Sequence, residues 1–421
     1  MSLQSELTRI KNRIEELWKH KIFRYAIMLH LFYFTLSLVL TLTFLRDQND
    51  FLVFQKVGEV FVNNINDLYN QDNYLWDFRY FPLSAIFFVP FYLLGFDLGF
   101  ILLQCITLIL NVLICIILYK TIMLVRNQDH EKDDKRVILF ICFYLMGVPH
   151  VFNYILGQIN IPFIFLVLLS LYVFLKHDVL KWQFLGSVIL GISIIIKPIA
   201  LFLVPFLIIL HFNLKNKKFN IEVSKSIVRL IGVILPASLN LILFILYPQM
   251  FEGFVSTNFT GNNPIQINFS FSITKLILNF CYVYDIPFNQ LSVLFIVCGV
   301  VAGSGFLIYI MRGNDKYKII YGYTLGILIQ LLVFYDSWDH HLLNLTPLLI
   351  IIIFNFPRNS KITTPYIKKG FFYFNFFDII FMILWFLTAP YFPYNFVATF
   401  FLIIAFIGTC KGYFLKSLHG N

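Results

Sequence analysis

Apolar residues run in long blocks along this chain, at about 26–45, 81–95, 98–124, 137–156, 159–175, 184–211, 228–247, 291–311, 318–335, 342–356, 371–388 and 396–413. Within a block such as Ala26–Leu45 there is no strict alternation of apolar and polar positions. That excludes a closed barrel, whose strands face lipid on one side only. A helix needs roughly 20 apolar residues to cross the hydrocarbon layer. The pattern therefore predicts an all-α polytopic membrane protein with about 12 transmembrane helices.

Composition sharpens this picture. Hydrophobic residues make up 59% of the 421 and charged ones 13%, which no soluble domain shows. The net charge of +10 does not point to nucleic acid, because Lys and Arg cluster in short segments beside the apolar blocks. Five of the six Cys lie in apolar runs (Cys105, Cys115, Cys142, Cys298, Cys410) without paired spacing, so neither a disulfide framework nor a zinc site is expected. Residues 1–24 form a charged amphipathic stretch, read as a cytoplasmic interfacial segment ahead of a signal anchor. Residues 25–356 follow as one membrane domain, and 357–421 as its C-terminal two-helix extension.

A cytoplasmic N-terminus puts the basic segments Lys215–Lys218, Arg312–Lys318 and Pro357–Lys369 inside. The polar stretch Asp47–Arg79, the 248–290 loop and the cluster Tyr335–His341 then fall outside. The same parity puts the charged segment Arg126–Arg136 outside, against its Lys and Arg content. A second path treats 81–95 as re-entrant and splits 184–211 at Lys197-Pro198. It satisfies the charge rule better and moves Gly157–Asn160 and Lys197 to the outer face. Run length favours the first path.

Ionisable residues at a membrane boundary are costly, and so they usually mark chemistry or a substrate path. Asp50 opens a stretch in which Phe51, Phe54, Val57 and Phe61 recur at helical spacing, as for a short helix on the outer membrane surface. There it is either a helix cap or a general base. Arg79, just before Tyr80-Phe81-Pro82, is either an arginine reaching to headgroups or a forked donor to phosphate. Ser337-Trp338-Asp339-His340-His341 carries two imidazoles suited to phosphate near neutral pH. Adjacent histidines point in different directions on a helix, which makes a poor metal site. Gln158, Asn160 and Lys197 interrupt apolar runs, and Lys197 in particular needs a partner or a wet cavity.

Taken in order, these pieces resemble the GT-C superfamily of membrane glycosyltransferases, and most closely glycosyltransferase family 87, the polyprenol-phosphate-mannose-dependent mannosyltransferases. The resemblance rests on Asp50 in an aromatic stretch, Leu68-Tyr69, Arg79-Tyr80-Phe81-Pro82-Leu83, Gly157-Gln158 with Asn160, Lys197-Pro198, and Ser337-Trp338 with His340, His341 and Pro347. Phe81 stands where the family pattern has the first of two prolines, and similarity fades after Pro357.

The resemblance implies a GT-C fold with short interfacial helices in the first extracytoplasmic loop and an active site facing away from the cytosol. It implies an integral membrane enzyme of the cell membrane, or of the endoplasmic reticulum in a eukaryote. A hexose, most simply mannose, would pass with inversion from a polyprenyl- or dolichyl-phosphate donor to a lipid or glycan hydroxyl. Asp50 carries over as the base. Arg79, His340 or His341, and Lys197 carry over as the donor-phosphate site, lined by Tyr80, Gln158, Asn160, Trp338 and Asp339. Asp47 and Asp50 form no D-x-D pair, so a bound divalent metal is not required. The rival classes are a transporter or lipid flippase, which would put polar groups near mid-membrane and show repeat symmetry, and an oligosaccharide ligase using a pyrophosphate-linked donor.

Overall fold

The structure, a computed structural model, describes residues 15, 17–131, 133–213, 217–260, 270–311, 317–358, 360–378 and 396–416. Most of the N-terminal amphipathic stretch, much of the basic segments at 215–218 and 312–318, and the second half of the 371–388 block lie outside them. Among the described residues the chain is helical except for one antiparallel hairpin, Leu210–Asn213 with Lys218–Ile221, in which Leu210 faces Ile221.

Two kinds of helix result from the apolar blocks. Lys318–Val333 and Thr346–Asn355 are buried at every residue, as expected for segments that are hydrophobic all round. They form the centre of the main core, joined by residues of Asn160–Lys176, Pro198–Leu207 and Val397–Lys416. Val223–Leu246 and Gln290–Ile310 lie at the periphery and leave Ile231, Ile234, Ile245, Phe295, Ile296 and Val300 exposed. Helices with so much bare apolar surface belong against hydrocarbon. Among the described residues four helices are long and apolar enough to cross a membrane: Lys21–Thr43, Pro82–Val125, Val223–Leu246 and Gln290–Ile310. Asp134–Leu145 and Pro149–Ile155, bent by 41°, would together make a fifth. The protein is an all-α membrane protein.

Polar side chains hold the apolar elements together. His30 and Tyr33 on Lys21–Thr43 reach the carbonyls of Leu145 and Met146 at 3.0 and 2.9 Å, and Tyr154 bonds the far side of the His30 ring at 2.9 Å. Such bonds between apolar helices contribute about 0.6 kcal/mol each, less than the packing they orient.

Gly95 reverses the chain inside the long helix Ala85–Val125. Its φ of 74° and ψ of 175° break the helix. A Cβ on Gly99 would lie 2.7 Å from the carbonyl oxygen of Phe91, whereas eight residues of continuous helix span about 12 Å. The arm 85–94 therefore folds back and packs on the short helix Phe51–Asn63, where Gly58 meets the Phe88 carbonyl. The block 81–95 is not a separate span, contrary to the path favoured by run length.

The second correction lies at the opposite end. Asn127 N–H donates to the Phe354 carbonyl at 2.9 Å, His130 Nε2 bonds the Phe356 carbonyl at 3.0 Å, and Asn355 Nδ2 donates to the Val125 carbonyl at 2.7 Å. Residues 126–136 and 357–369, which the first path puts on opposite faces, share one end. The 184–211 block also breaks where the second path breaks it. A residue before proline is pushed out of the helical region, and Lys197 is extended (φ −147°, ψ 108°) between Leu180–Ile196 and the tight helix Pro198–Leu207.

In sealed vesicles, cysteines placed at the exposed positions Gln128 and Lys361 should react with an impermeant thiol reagent from one side, and one at Asp72 from the other. Labelling of Gln128 together with Asp72 would restore the path discarded here.

Candidate functional site

The site is built around the turn Gly157-Gln158-Ile159-Asn160. Gly157 sits at φ +64°, and a Cβ there would lie 2.8 Å from the Phe51 Cβ and 3.1 Å from Asn49 Oδ1. Only glycine meets both the conformation and the space. The turn is tied by Asn153 Nδ2 donating to the Gln158 carbonyl at 3.2 Å. Next to it, Asn49 Oδ1 accepts the Phe51 N–H at 2.8 Å, and Asn49 Nδ2 donates to the Ile155 carbonyl.

Asn49 thus takes on the capping work that is one of the two readings of Asp50. Asp50 stands at the start of Phe51–Asn63 but makes no side-chain cap; its carboxylate instead accepts a hydrogen bond from the Gln158 amide. Burial pushes the Asp50 carboxyl above its ordinary range, and the Gln158 bond and the charge of Lys197 offset part of that rise.

Lys197 is buried, and its Nζ donates to Asn160 Oδ1 at 2.6 Å. The same oxygen accepts from Asn344 Nδ2 at 3.3 Å, while Asn160 Nδ2 donates to Asn153 Oδ1 at 3.2 Å. Lys197 acts electrostatically on Asp50 and on the rings of both His340 and His341. Lys197 therefore lies within electrostatic reach of both the carboxylate and the imidazoles.

The two histidines differ in freedom. They sit on the tight helix Asp339–Asn344, with Trp338 extended before it. His341 Nδ1 accepts the Trp338 backbone N–H at 3.1 Å, which leaves the ring proton on Nε2, and the His341 backbone N–H donates to the Trp338 carbonyl at 2.8 Å. His340 makes no hydrogen bond to the described residues and packs edge-on to His341, ring centres 4.3 Å apart. Asp339 pairs with Asp378, and Trp338 remains 41% exposed.

Arg79 is already engaged. Its guanidinium bonds the Asp336 carboxylate, meets Asp77 at 3.5 Å, and lies 5.6 Å from the centre of the Tyr335 ring. Tyr80 links the parts, lying within electrostatic reach of both Asp50 and Arg79 and beside the Phe54 ring. The structure therefore gathers Asp50, Tyr80, Gln158, Asn160, Lys197, His340 and His341 at one locus, with Arg79 joined to it through Tyr80 and the Asp336 loop. Sequence reasoning passed over Asn49, Asn153, Asn344 and Asp336. For the three asparagines the available signal was an amide inside or beside an apolar run, the same feature that singled out Asn160, while Asp336 lies within the polar cluster Tyr335–His341.

Replacing Gly157 with alanine should cost about 1–3 kcal/mol from backbone strain, before any crowding of Phe51. Thermal unfolding in detergent measures it. An unchanged midpoint would mean that the turn accommodates a side chain and does not fix the Asp50–Gln158 geometry.

A search of curated proteins returns no match. The model of glycosyltransferase family 87 matches residues 78–334, more than half of the chain. The matched stretch holds Arg79, Gln158, Asn160 and Lys197, while Asp50 lies before it and His340 and His341 lie after it. An all-α membrane protein with a carboxylate, a buried ammonium and an imidazole at one end, matched over these residues, belongs to glycosyltransferase family 87.

Proposed function

We propose that this glycosyltransferase moves a hexose, most simply mannose, from a polyprenyl- or dolichyl-phosphate donor to a hydroxyl of a lipid or glycan, with inversion, on the non-cytoplasmic face of a GT-C fold. The observation that supports this best is the juxtaposition of Asp50, relieved of capping, with Lys197 and the imidazole of His340. In the reaction the acceptor oxygen attacks the anomeric carbon and its proton passes to Asp50. The bond from that carbon to the phosphate oxygen breaks, and the electron pair leaves with the lipid phosphate. A monoanionic diester becomes a monoester with more charge, and cations already in place stabilise that change. Lys197 supplies positive charge and the His340 imidazole a ring N–H that can donate to the leaving oxygen, while Arg79, held by Asp336 and Asp77, anchors the outer loop beside the phosphate.

Sidedness follows from charge. The Lys- and Arg-bearing segments 126–136 and 357–369 gather at the end away from Asp50, as cytoplasmic segments do. Counting Lys21–Thr43, the limb 96–125, the bent pair 134–155, then 160–176, 180–196, 198–207, 223–246, 290–310, 318–333, 339–355 and 397–416, together with the apolar block 371–388 of the sequence, gives about 12 crossings. The site then lies outside.

Asp50→Asn keeps the shape and removes the proton acceptor, so transfer should fall roughly 10²–10⁴-fold with donor binding retained. The acid limb of kcat/KM reports the same group. Asp50 works only when ionised and its pKa is raised, so activity should rise with pH through that raised value. Gln158→Leu removes a bond to the charged form and should move the limb to higher pH. A limb that stays in place would mean that another group is the base.

His340→Ala should slow transfer about 10²-fold and weaken donor binding, because an interaction with developing charge is lost. Activity should withstand chelators, since side chains meet the developing charge. Full turnover of the His340 variant, or turnover abolished by chelator and restored by zinc, would overturn this assignment.

A further inference from the structure

Beyond the family-matched stretch lies an acidic pair that the proposed reaction does not use. Asp339 opens the tight helix that carries His340 and His341, and its carboxyl is in hydrogen-bonding contact with that of Asp378. Asp378 follows the turn Tyr373–Phe377, in a segment where the sequence offers no resemblance to draw on. Both aspartates are buried, at 8% and 4% exposure, and among the described residues the groups acting on the pair are the two carboxyls, the Asp339 backbone N–H and the Tyr373 hydroxyl. The Asp378 segment is fixed separately: Val148 N–H donates to the Asn375 carbonyl at 2.8 Å, and Asn375 Nδ2 to the Phe371 carbonyl at 2.8 Å.

Two carboxylates in this contact cannot both be ionised; one must hold a proton and donate it to the other. The bond then joins a residue anchored at the bend after Leu145 to the residue directly before His340. On the opposite side the helix is held by the Trp338–His341 bonds. Without Asp378, the buried Asp339 carboxylate would keep only its own backbone N–H as a donor among the described residues, and solvation would draw the start of the helix outward.

We propose that Asp378 is a positioning residue: sharing one proton with Asp339, it holds the turn that presents His340 to Lys197 and the donor phosphate, an inference that rests on the reading of His340 given above. Asp378→Asn preserves the arrangement, because its amide donates to the Asp339 carboxylate at the same size and total charge. Asp378→Leu keeps the volume and removes the bond.

Two measurements test this. Infrared spectra of the purified protein should show the carbonyl band of a protonated carboxyl at neutral pH, lost in Asp378→Asn. Transfer assays with a polyprenyl-phosphate sugar should give kcat within about 3-fold of wild type for Asp378→Asn and at least about 10-fold lower for Asp378→Leu, the scale seen when the partner behind a site ligand is lost. A band unaffected by Asp378→Asn overturns the shared proton. An Asp378→Asn enzyme as slow as Asp378→Leu, or an Asp378→Leu enzyme with wild-type kcat and KM, overturns the positioning role. Should Asp378→Leu fail to fold, the isosteric Asp378→Asn still decides through its band and its rate. The band needs no donor, so a wild type that shows it yet transfers nothing counts against the proposed reaction and in favour of the carboxyl pair.

Discussion

A buried ammonium has to be met by oxygen, and one end of this protein is arranged around that need. Lys197 is forced out of helical geometry by Pro198, so its amine enters the core at a break between two apolar segments. Asn160 meets it, and Asn160 is itself held by Asn153 and Asn344. Asn160 also ends the Gly157 turn, whose Gln158 bonds Asp50. One electrostatic requirement thus sets the positions of the turn, the carboxylate and the start of the helix Asn160–Lys176.

Site and scaffold divide their labour at neighbouring residues. Asn49 caps while Asp50 is left to Gln158, and His341 is locked by Trp338 while His340 is left without a bond to the described residues. In each pair the first role removes conformational freedom, and the second keeps a charged or basic atom available. Membrane proteins have few polar residues to spend, so such pairing puts a structural amide or ring directly beside a chemical one.

Much of this was legible in the chain. The apolar blocks gave the class, and the polar residues Gln158, Asn160, Lys197 and His340, which stand out beside apolar runs, are ones the fold brings to one locus. The path between them was misread because run length records how much apolar chain there is and not where it turns. Gly95 is one residue in a hydrophobic block, yet its positive φ reverses the chain. The charge rule carried the better information, since the basic residues at 126–136 belonged with those at 357–369. Asn49-Asp50 was ambiguous for a different reason. Either residue type can cap a helix, and only the position of Gln158 decides which one does. Asp378 had no local signal, because its partner is distant in sequence.

Asp50 follows shortly after the end of Lys21–Thr43 and sits beside a helix whose apolar face, Phe51, Phe54 and Val57, is buried in a cluster of its own. A donor carried on a polyprenyl chain would reach such a site by lateral diffusion in the plane of the leaflet. Its effective concentration would then be a mole fraction among lipids, not molecules per litre. Adding inert phospholipid at fixed amounts of enzyme and donor would dilute the substrate as surely as adding solvent does for a soluble enzyme. Bilayer area, in the cell as in a vesicle, would become a kinetic variable.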